Sequence, residues 1–266
     1  MATGRLHLRA HREVIVKVDS GALSYALGLD ESDSLVSIVG GGGKSALLFA
    51  LGDCLPGRVL LTTTTRIFAA QIQRAVSWCQ VDEPGYAAAL DEGPSGLLIV
   101  GGVEGEKAVG VEAALPGKWL SRETVQHVIV EADGSRMRPT KAPAEHEPVI
   151  ADGSTHVVVV VGIDALSAPI AETCHRPERV GALLGLAPSA RLTPNSLAQL
   201  LCHEAGGLKN VPIDARLIVL INKVESASQQ ARADELAARV LSEARVERVV
   251  SGAVEGPQPK VFRCYR

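Results

Sequence analysis

Leu35-Val36-Ser37-Ile38-Val39-Gly40-Gly41-Gly42-Gly43-Lys44-Ser45-Ala46-Leu47-Leu48 joins a short apolar run to four glycines, a Lys-Ser pair and residues at helical spacing. That order reads as a buried strand, a tight loop and the start of a helix. Glycines let backbone N–H groups turn inward and wrap an anion with no side chain in the way. The helix behind them adds its unpaired N–H groups and the positive end of its dipole. On this reading Gly40, Gly41, Gly42 and Gly43 cradle the phosphates of a nucleoside triphosphate. Lys44 supplies a mobile charge for the terminal phosphates, and Ser45 a hydroxyl ligand for Mg²⁺. The common phosphate loop has a glycine six residues before its lysine, where this chain has Ile38, so the loop is two residues shorter. A glycine-rich turn with an incidental Lys-Ser is the alternative, and the strand and helix on either side argue against it.

Outward from the loop, Pro56-Gly57 ends the helix Ser45–Cys54 and launches a strand over Arg58–Thr63 that runs into Thr62-Thr63-Thr64-Thr65-Arg66. β-Branched threonines suit a strand by propensity alone. Arriving at the carboxyl end of a parallel strand, where open α/β sheets bind ligands, the hydroxyls of Thr63, Thr64 and Thr65, with Arg66 at the mouth, also suit phosphate or substrate. His127-Val128-Ile129-Val130-Glu131-Ala132-Asp133 is a second apolar strand, this one ending in acids. Glu131 takes the place of the carboxylate that holds Mg²⁺ in phosphate-loop enzymes. Asp133, two residues on, faces the same side of an extended chain and is placed to orient a nucleophile or its water. Lys44, Glu131 and Asp133 are therefore the candidate catalytic groups. Arg136, Arg138 and Lys141 follow closely as cations for an anionic substrate, the plainer alternative being a solvated loop.

Composition limits the remaining choices. The 266 residues carry a net charge of −3, and their low aromatic share, with abundant Ala, Val, Leu and Gly, suits a Val-rich parallel sheet covered by helices. That charge gives no footprint for nucleic acid or an anionic membrane. No apolar run reaches the roughly 18 residues needed to span a bilayer. Met1–Lys17 lacks the apolar core of a signal peptide, so a cytoplasmic location is expected. Cys54, Cys79, Cys174, Cys202 and Cys264 are scattered and odd in number, which reads as reduced structural thiols. The dipeptides Cys174-His175 and Cys202-His203 make a poor metal site, because adjacent residues seldom both ligate one ion.

The remaining segments complete an α/β pattern. Glu13–Val18 suggests an edge strand or an ordered tail, and Asp19 and Ser20 can cap a short helix to about Leu27. A helix is expected over Ile67–Val76, a mixed stretch over Trp78–Gly96, a strand at Leu97–Val100, and loop then helix between Leu115 and Val125. Ala142–Pro148, which contains His146 and Glu147, is a turn whose two prolines fix its path. Thr155–Val161 is a valine strand leading to Asp164; helices follow from Pro177 to Leu184 and from Pro194 to about His203. Ala215–Ile221 is a strand ending in Asn222-Lys223-Val224-Glu225, which resembles the guanine-reading Asn-Lys-x-Asp of GTPases with glutamate in the acid's place. A helix over Ala227–Ala244 and a strand at Val246–Val250 come last. The expectation is a segment 1–34, one P-loop NTPase-like α/β domain over 35–252 with a mostly parallel sheet and helices on both faces, and a tail over 253–266.

In order, Gly40–Ser45, Thr62–Arg66, Glu131–Ser135, Lys141-Ala142-Pro143, His146-Glu147-Pro148, Val161–Ala165 and His175-Arg176-Pro177-Glu178 resemble the YqeC family, accessory proteins of selenium-dependent molybdenum hydroxylases. The compact loop is similar to that of Mur-type peptide ligases. The resemblance implies a P-loop NTPase-like core and a role in making or installing a selenium-containing molybdenum cofactor. It also raises His146, Glu147, Asp164, His175 and Arg176 to candidate site residues. The leading expectation is a maturation factor that binds Mg²⁺ with ATP or GTP through Gly40–Ser45, Asn222 and Lys223. Its other partners would be a small anionic substrate and a molybdenum hydroxylase or its maturation proteins. Two rivals stand beside it. One is an ATP-dependent ligase or kinase acting on a small acidic substrate; the other is a nucleotide-gated chaperone without catalysis of its own.

Overall fold

The computed structural model describes residues 13–16, 22–29, 32–255 and 262–266. Ten strands form the main sheet: β1 Glu13–Val16, β2 Ser34–Gly40, β3 Val59–Thr63, β4 Trp78–Gln80, β5 Leu97–Val100, β6 His127–Glu131, β7 His156–Gly162, β8 Arg216–Asn222, β9 Val246–Ser251 and β10 Phe262–Tyr265. Their spatial order is β1-β10-β9-β8-β7-β2-β6-β3-β5-β4. The eight strands from β9 to β4 are parallel, while β10 runs antiparallel to β9 and β1 antiparallel to β10. This is the expected α/β class with a mostly parallel sheet. The chain fills one side of β2 first and the other side afterwards, so the order reverses there and opens a crevice at the strands' carboxyl ends.

The central strands are apolar on both faces because both are covered. All seven residues of β7 are buried, and its side chains alternate between two cores. Val158 and Val160 pack with Ile38, with Leu47 and Leu51 of the helix Lys44–Cys54, and with Leu27 of the helix Ala22–Leu27. Val157, Val159 and Val161 face Leu197 and Leu201 of the helix Pro194–Leu201 and Leu236 and Val240 of the helix Ala227–Val240. On that same face, farther along the sheet, Leu60, Ile99 and Val128 pack on Trp119 and Leu90. The helices Pro194–Leu201 and Ala227–Val240 both start at capping boxes, Thr193 with Ser196 and Ser226 with Gln229.

Several local expectations are corrected. Ile67–Val76 is not an α-helix. Ile67–Phe68 pairs with Lys107–Val109 in a small antiparallel sheet completed by Gly102–Glu104, and a 3₁₀ helix follows over Ala69–Arg74. The pairing fixes the backbone as extended where an α-helix would have begun. The mixed stretch contains both β4 and a helix, Tyr86–Glu92, and the helix near Leu115 starts there and ends at Leu120. The helix at Ala227 stops at Val240, short of Ala244. The final residues are not all tail, since β10 pairs with β9 and provides the ladder onto which β1 is added. The expected capping residues Asp19 and Ser20 lie outside the described residues.

Candidate functional site

The four glycines are fixed by contact as much as by conformation. A Cβ on Gly40 would sit 2.3 Å from the Val160 carbonyl oxygen, and one on Gly42 would sit 2.2 Å from the Gly162 nitrogen. The loop is wedged between β7 and the segment after β6, and only glycine passes. Its first three N–H groups are already used: Gly40 donates to Asp133 Oδ2 at 3.0 Å, Gly41 to the Val160 carbonyl and Gly42 to the Arg138 carbonyl. Those bonds shape the loop and leave the N–H groups of the next turn unengaged. The first intrahelical bond is Leu47 N–H to the Gly43 carbonyl, so the N–H groups of Gly43, Lys44, Ser45 and Ala46 make no hydrogen bond to another described residue. They open, with the dipole's positive end behind them, into a cleft of about 720 Å³.

The cleft floor is ionic. Lys44 is 3% exposed; its ammonium donates to the Gly40 carbonyl at 2.8 Å and lies 3.2 Å from Asp133 and 3.9 Å from Glu131. Both carboxylates therefore reach one ammonium, as their i, i+2 placement implies. Ser45 Oγ donates to Glu131 Oε2 at 2.7 Å and accepts from Gln71 Nε2 at 3.0 Å. Burial pushes the Glu131 carboxyl up, with Asp133 adding to the rise and Lys44 and Ser45 opposing it. A hydroxyl and a carboxylate in contact beside free amides are an all-oxygen donor pair. That suits Mg²⁺, which takes one or two protein oxygens and completes its shell with phosphate and water. Asp133 Oδ1 and Gln71 Oε1 are buried acceptors without a hydrogen-bond partner among the described residues.

Behind the floor the ion pairs continue. Lys141 lies 3.2 Å from Asp133 and 2.6 Å from Glu147, and Arg176 donates to Glu147 at 2.7 Å. Burial raises the Glu147 carboxyl, but hydrogen bonds and charge from Lys141, with Arg176 and the Ala144 N–H, outweigh it and hold the group down at about 2. The pairing Thr140–Lys141 with Cys174–His175 brings the two segments together. Burial, Arg176 and Lys141 drive His175 to about 4, so its ring is neutral at pH 7.

Of the sequence-derived candidates, Gly42, Gly43, Lys44, Ser45, Thr65, Arg66, Glu131, Arg136, Glu147, His175, Arg176 and Lys223 line the cleft. Others support it from behind. Thr63 donates to the Glu131 carbonyl at 2.8 Å, and Thr64 Oγ1 donates to the Val149 carbonyl. Asn222 Nδ2 donates to the Gly42 carbonyl at 2.8 Å and its oxygen accepts from Val254 N–H, so that amide holds the loop, while Lys223 pairs with Asp164. Lys141 is occupied by Asp133 and Glu147. Arg138 donates to the Glu172 carbonyl. Exposed His146 stands apart from the cleft lining. Sequence reasoning missed Phe68, Gln71, Arg74, Lys107, Met137 and Glu255, all on the lining. They come from short irregular elements whose spacing carries no signal. No cluster of metal-ligating residues brings the two Cys-His dipeptides together among the described residues, and burial raises the thiols of Cys174 and Cys202 to about 11.

A glycine loop from the central strand, an acid at the end of its neighbour and a cleft at the point where the strand order reverses define an α/β protein of P-loop-like architecture. It belongs to the YqeC family: the family model described as YqeC protein matches residues 36–178, more than half of the chain. The chain is also similar to a protein of Escherichia coli strain K12, carrying the description uncharacterized protein YqeC, at 34% identity over 223 residues. That match covers 82% of this chain and 87% of the relative. The family match runs from β2 past His175 and Arg176 and so takes in the loop, Glu131, Asp133 and the Glu147 ion pairs.

Proposed function

We propose that this protein binds a nucleoside triphosphate with Mg²⁺ and uses it in maturation of selenium-dependent molybdenum hydroxylases. The observation that carries the nucleotide reading is the run of unpartnered N–H groups from Gly43 to Ala46, opening beside Lys44 and the Ser45–Glu131 pair. Those amides suit the terminal phosphates, and Ser45 and Glu131 suit Mg²⁺, which would neutralise phosphate charge and relieve the buried carboxylate. Lys44 would exchange carboxylate for phosphate oxygens, and Asp133 would then be free to orient an attacking group. The maturation role rests on membership of the family. ATP and GTP both remain in the proposal: Asn222 resembles the guanine-reading asparagine in position, but its amide is held by Gly42 and Val254, and Glu225 is exposed and off the cleft lining.

The test is a thermal-shift titration of ATP and GTP, each with and without Mg²⁺, on wild type and Lys44→Ala. A bound triphosphate at about a hundred times its dissociation constant adds roughly 2.7 kcal/mol of apparent stability. The expected result is a Mg²⁺-enhanced shift with one triphosphate that the variant loses. Absence of a shift with both nucleotides would contradict the proposal.

A further inference from the structure

Arg136, Met137, Arg176 and Lys223 share more than the cleft they line: each has a left-handed backbone, with φ of 48°, 60°, 58° and 64°. Long side chains rarely adopt that conformation, and it persists where surrounding structure imposes it, often at ligand sites. The other non-glycine residues in that region among those described are Asp82 and Asn210, types that tolerate it, and neither lines the cleft.

Arg136 and Met137 are the central pair of a tight turn closed by Arg138 N–H to the Ser135 carbonyl at 3.0 Å. Left-handed φ at both central positions is the type I′ pattern, ordinarily filled by Asn and Gly. Here the turn presents an arginine and a methionine that is 83% exposed. Among the described residues Arg136 makes no ion pair or hydrogen bond, whereas Lys44, Arg176 and Lys223 each have a carboxylate. The cleft lining holds seven Lys or Arg side chains against three Glu. The turn and the 175–176 segment line the same cleft, where burial and then the charges of Arg176, Lys141 and Arg136 oppose protonation of the His175 ring.

We propose that Arg136, Met137, His175 and Arg176 form a second subsite that takes the phosphate, or another multiply charged oxyanion, of a small acceptor molecule. This rests on the nucleotide reading only for the identity of what occupies the Gly43–Ala46 loop beside it. Guanidinium groups match such oxyanions with paired, charge-assisted hydrogen bonds. The neutral His175 ring has a donor to offer, and the Met137 thioether gives an apolar surface for the rest of the molecule. A cleft with two anion subsites would bring a triphosphate and its acceptor together.

The experiment titrates inorganic phosphate, with acetate as a singly charged comparison, into the intact chain by calorimetry. The proteins are wild type, Arg136→Asn, Arg176→Gln and Lys44→Ala, and Mg²⁺-ATP and Mg²⁺-GTP are titrated in parallel. Asparagine suits a left-handed backbone, so Arg136→Asn is expected to melt higher than wild type while binding phosphate about tenfold or more weakly. Arg176→Gln is expected to weaken phosphate as well, and acetate to bind more weakly than phosphate throughout. Phosphate affinity unchanged in Arg136→Asn, lost only in Lys44→Ala, or absent from wild type would overturn the subsite. Triphosphate binding that fails in wild type while the phosphate pattern holds would remove the nucleotide reading and support the subsite.

Discussion

Gly43 has a φ of 122° at the N-terminal cap of the loop helix, and a Cβ there would lie 2.3 Å from Asn222 Nδ2, the atom that ties β8 to the loop. Gly43→Ala therefore meets both backbone strain and a clash, and is expected to cost about 1–3 kcal/mol of stability. It should also abolish triphosphate binding, because relaxing the clash turns the amides of Gly43–Ala46 away from the cleft. A variant with wild-type melting and affinity would show that the loop is not held as described. Glu147 makes a second case. Holding its carboxyl near 2 against an ordinary 4.5 corresponds to about 3 kcal/mol, and Glu147→Gln should lose about that much, read by urea unfolding at pH 7. That Gly40–Ser45 joins a strand to a helix and that Glu131 ends the neighbouring strand was legible in the sequence, because both features lie in contiguous spacing. Lys141, expected to face an anionic substrate, is held by Asp133 and Glu147, partners that tertiary packing sets and spacing does not show. Thr63 and Thr64 were placed at the right strand end but turn their hydroxyls to carbonyls instead of the cleft.

At the scale of elements, the central strands β2, β6, β7 and β8 announced themselves as β-branched runs, the helix at Pro194 through its first-position proline and the helix at Ala227 through its amphipathic pattern. What escaped were pieces of two to four residues such as β4, β10 and the strand Ile67–Phe68, too short to show a period. Their assignment comes from the neighbour they pair with. β10 shows that such a piece can matter. Tyr265 is 7% exposed; its hydroxyl donates to Asp234 Oδ1 at 2.6 Å and accepts from Gln230 Nε2 at 3.0 Å, tying β10 to the helix Ala227–Val240. Tyr265→Phe is expected to cost about 1 kcal/mol, since it removes a charge-assisted bond while keeping the ring. A melting temperature equal to wild type would mean that the helix and β10 do not depend on that tie.

Across the whole molecule, one sheet covered on both faces brings segments as distant as 42–46, 131, 134–137, 147, 175–176 and 223 to a single cleft. The same burial gives the protein an acid-labile side. His156 is driven to about 4 by burial and by Arg216, so between there and its ordinary 6.5 the unfolded chain binds more protons. Stability is therefore lost as pH falls through that window, and Glu147 extends the loss from 4.5 towards 2. Urea unfolding of His156→Gln against wild type should show a flatter dependence between about pH 6.5 and 4, and parallel curves would contradict it. The central claim, that this YqeC family member carries a triphosphate on its glycine loop, is tested most directly by a crystal structure grown with Mg²⁺ and a non-hydrolysable analogue of ATP or GTP. The account predicts phosphate oxygens on the N–H groups of Gly43–Ala46, with Mg²⁺ between them and Ser45. Phosphates elsewhere in the cleft, or those amides still facing solvent at saturating analogue, would contradict it.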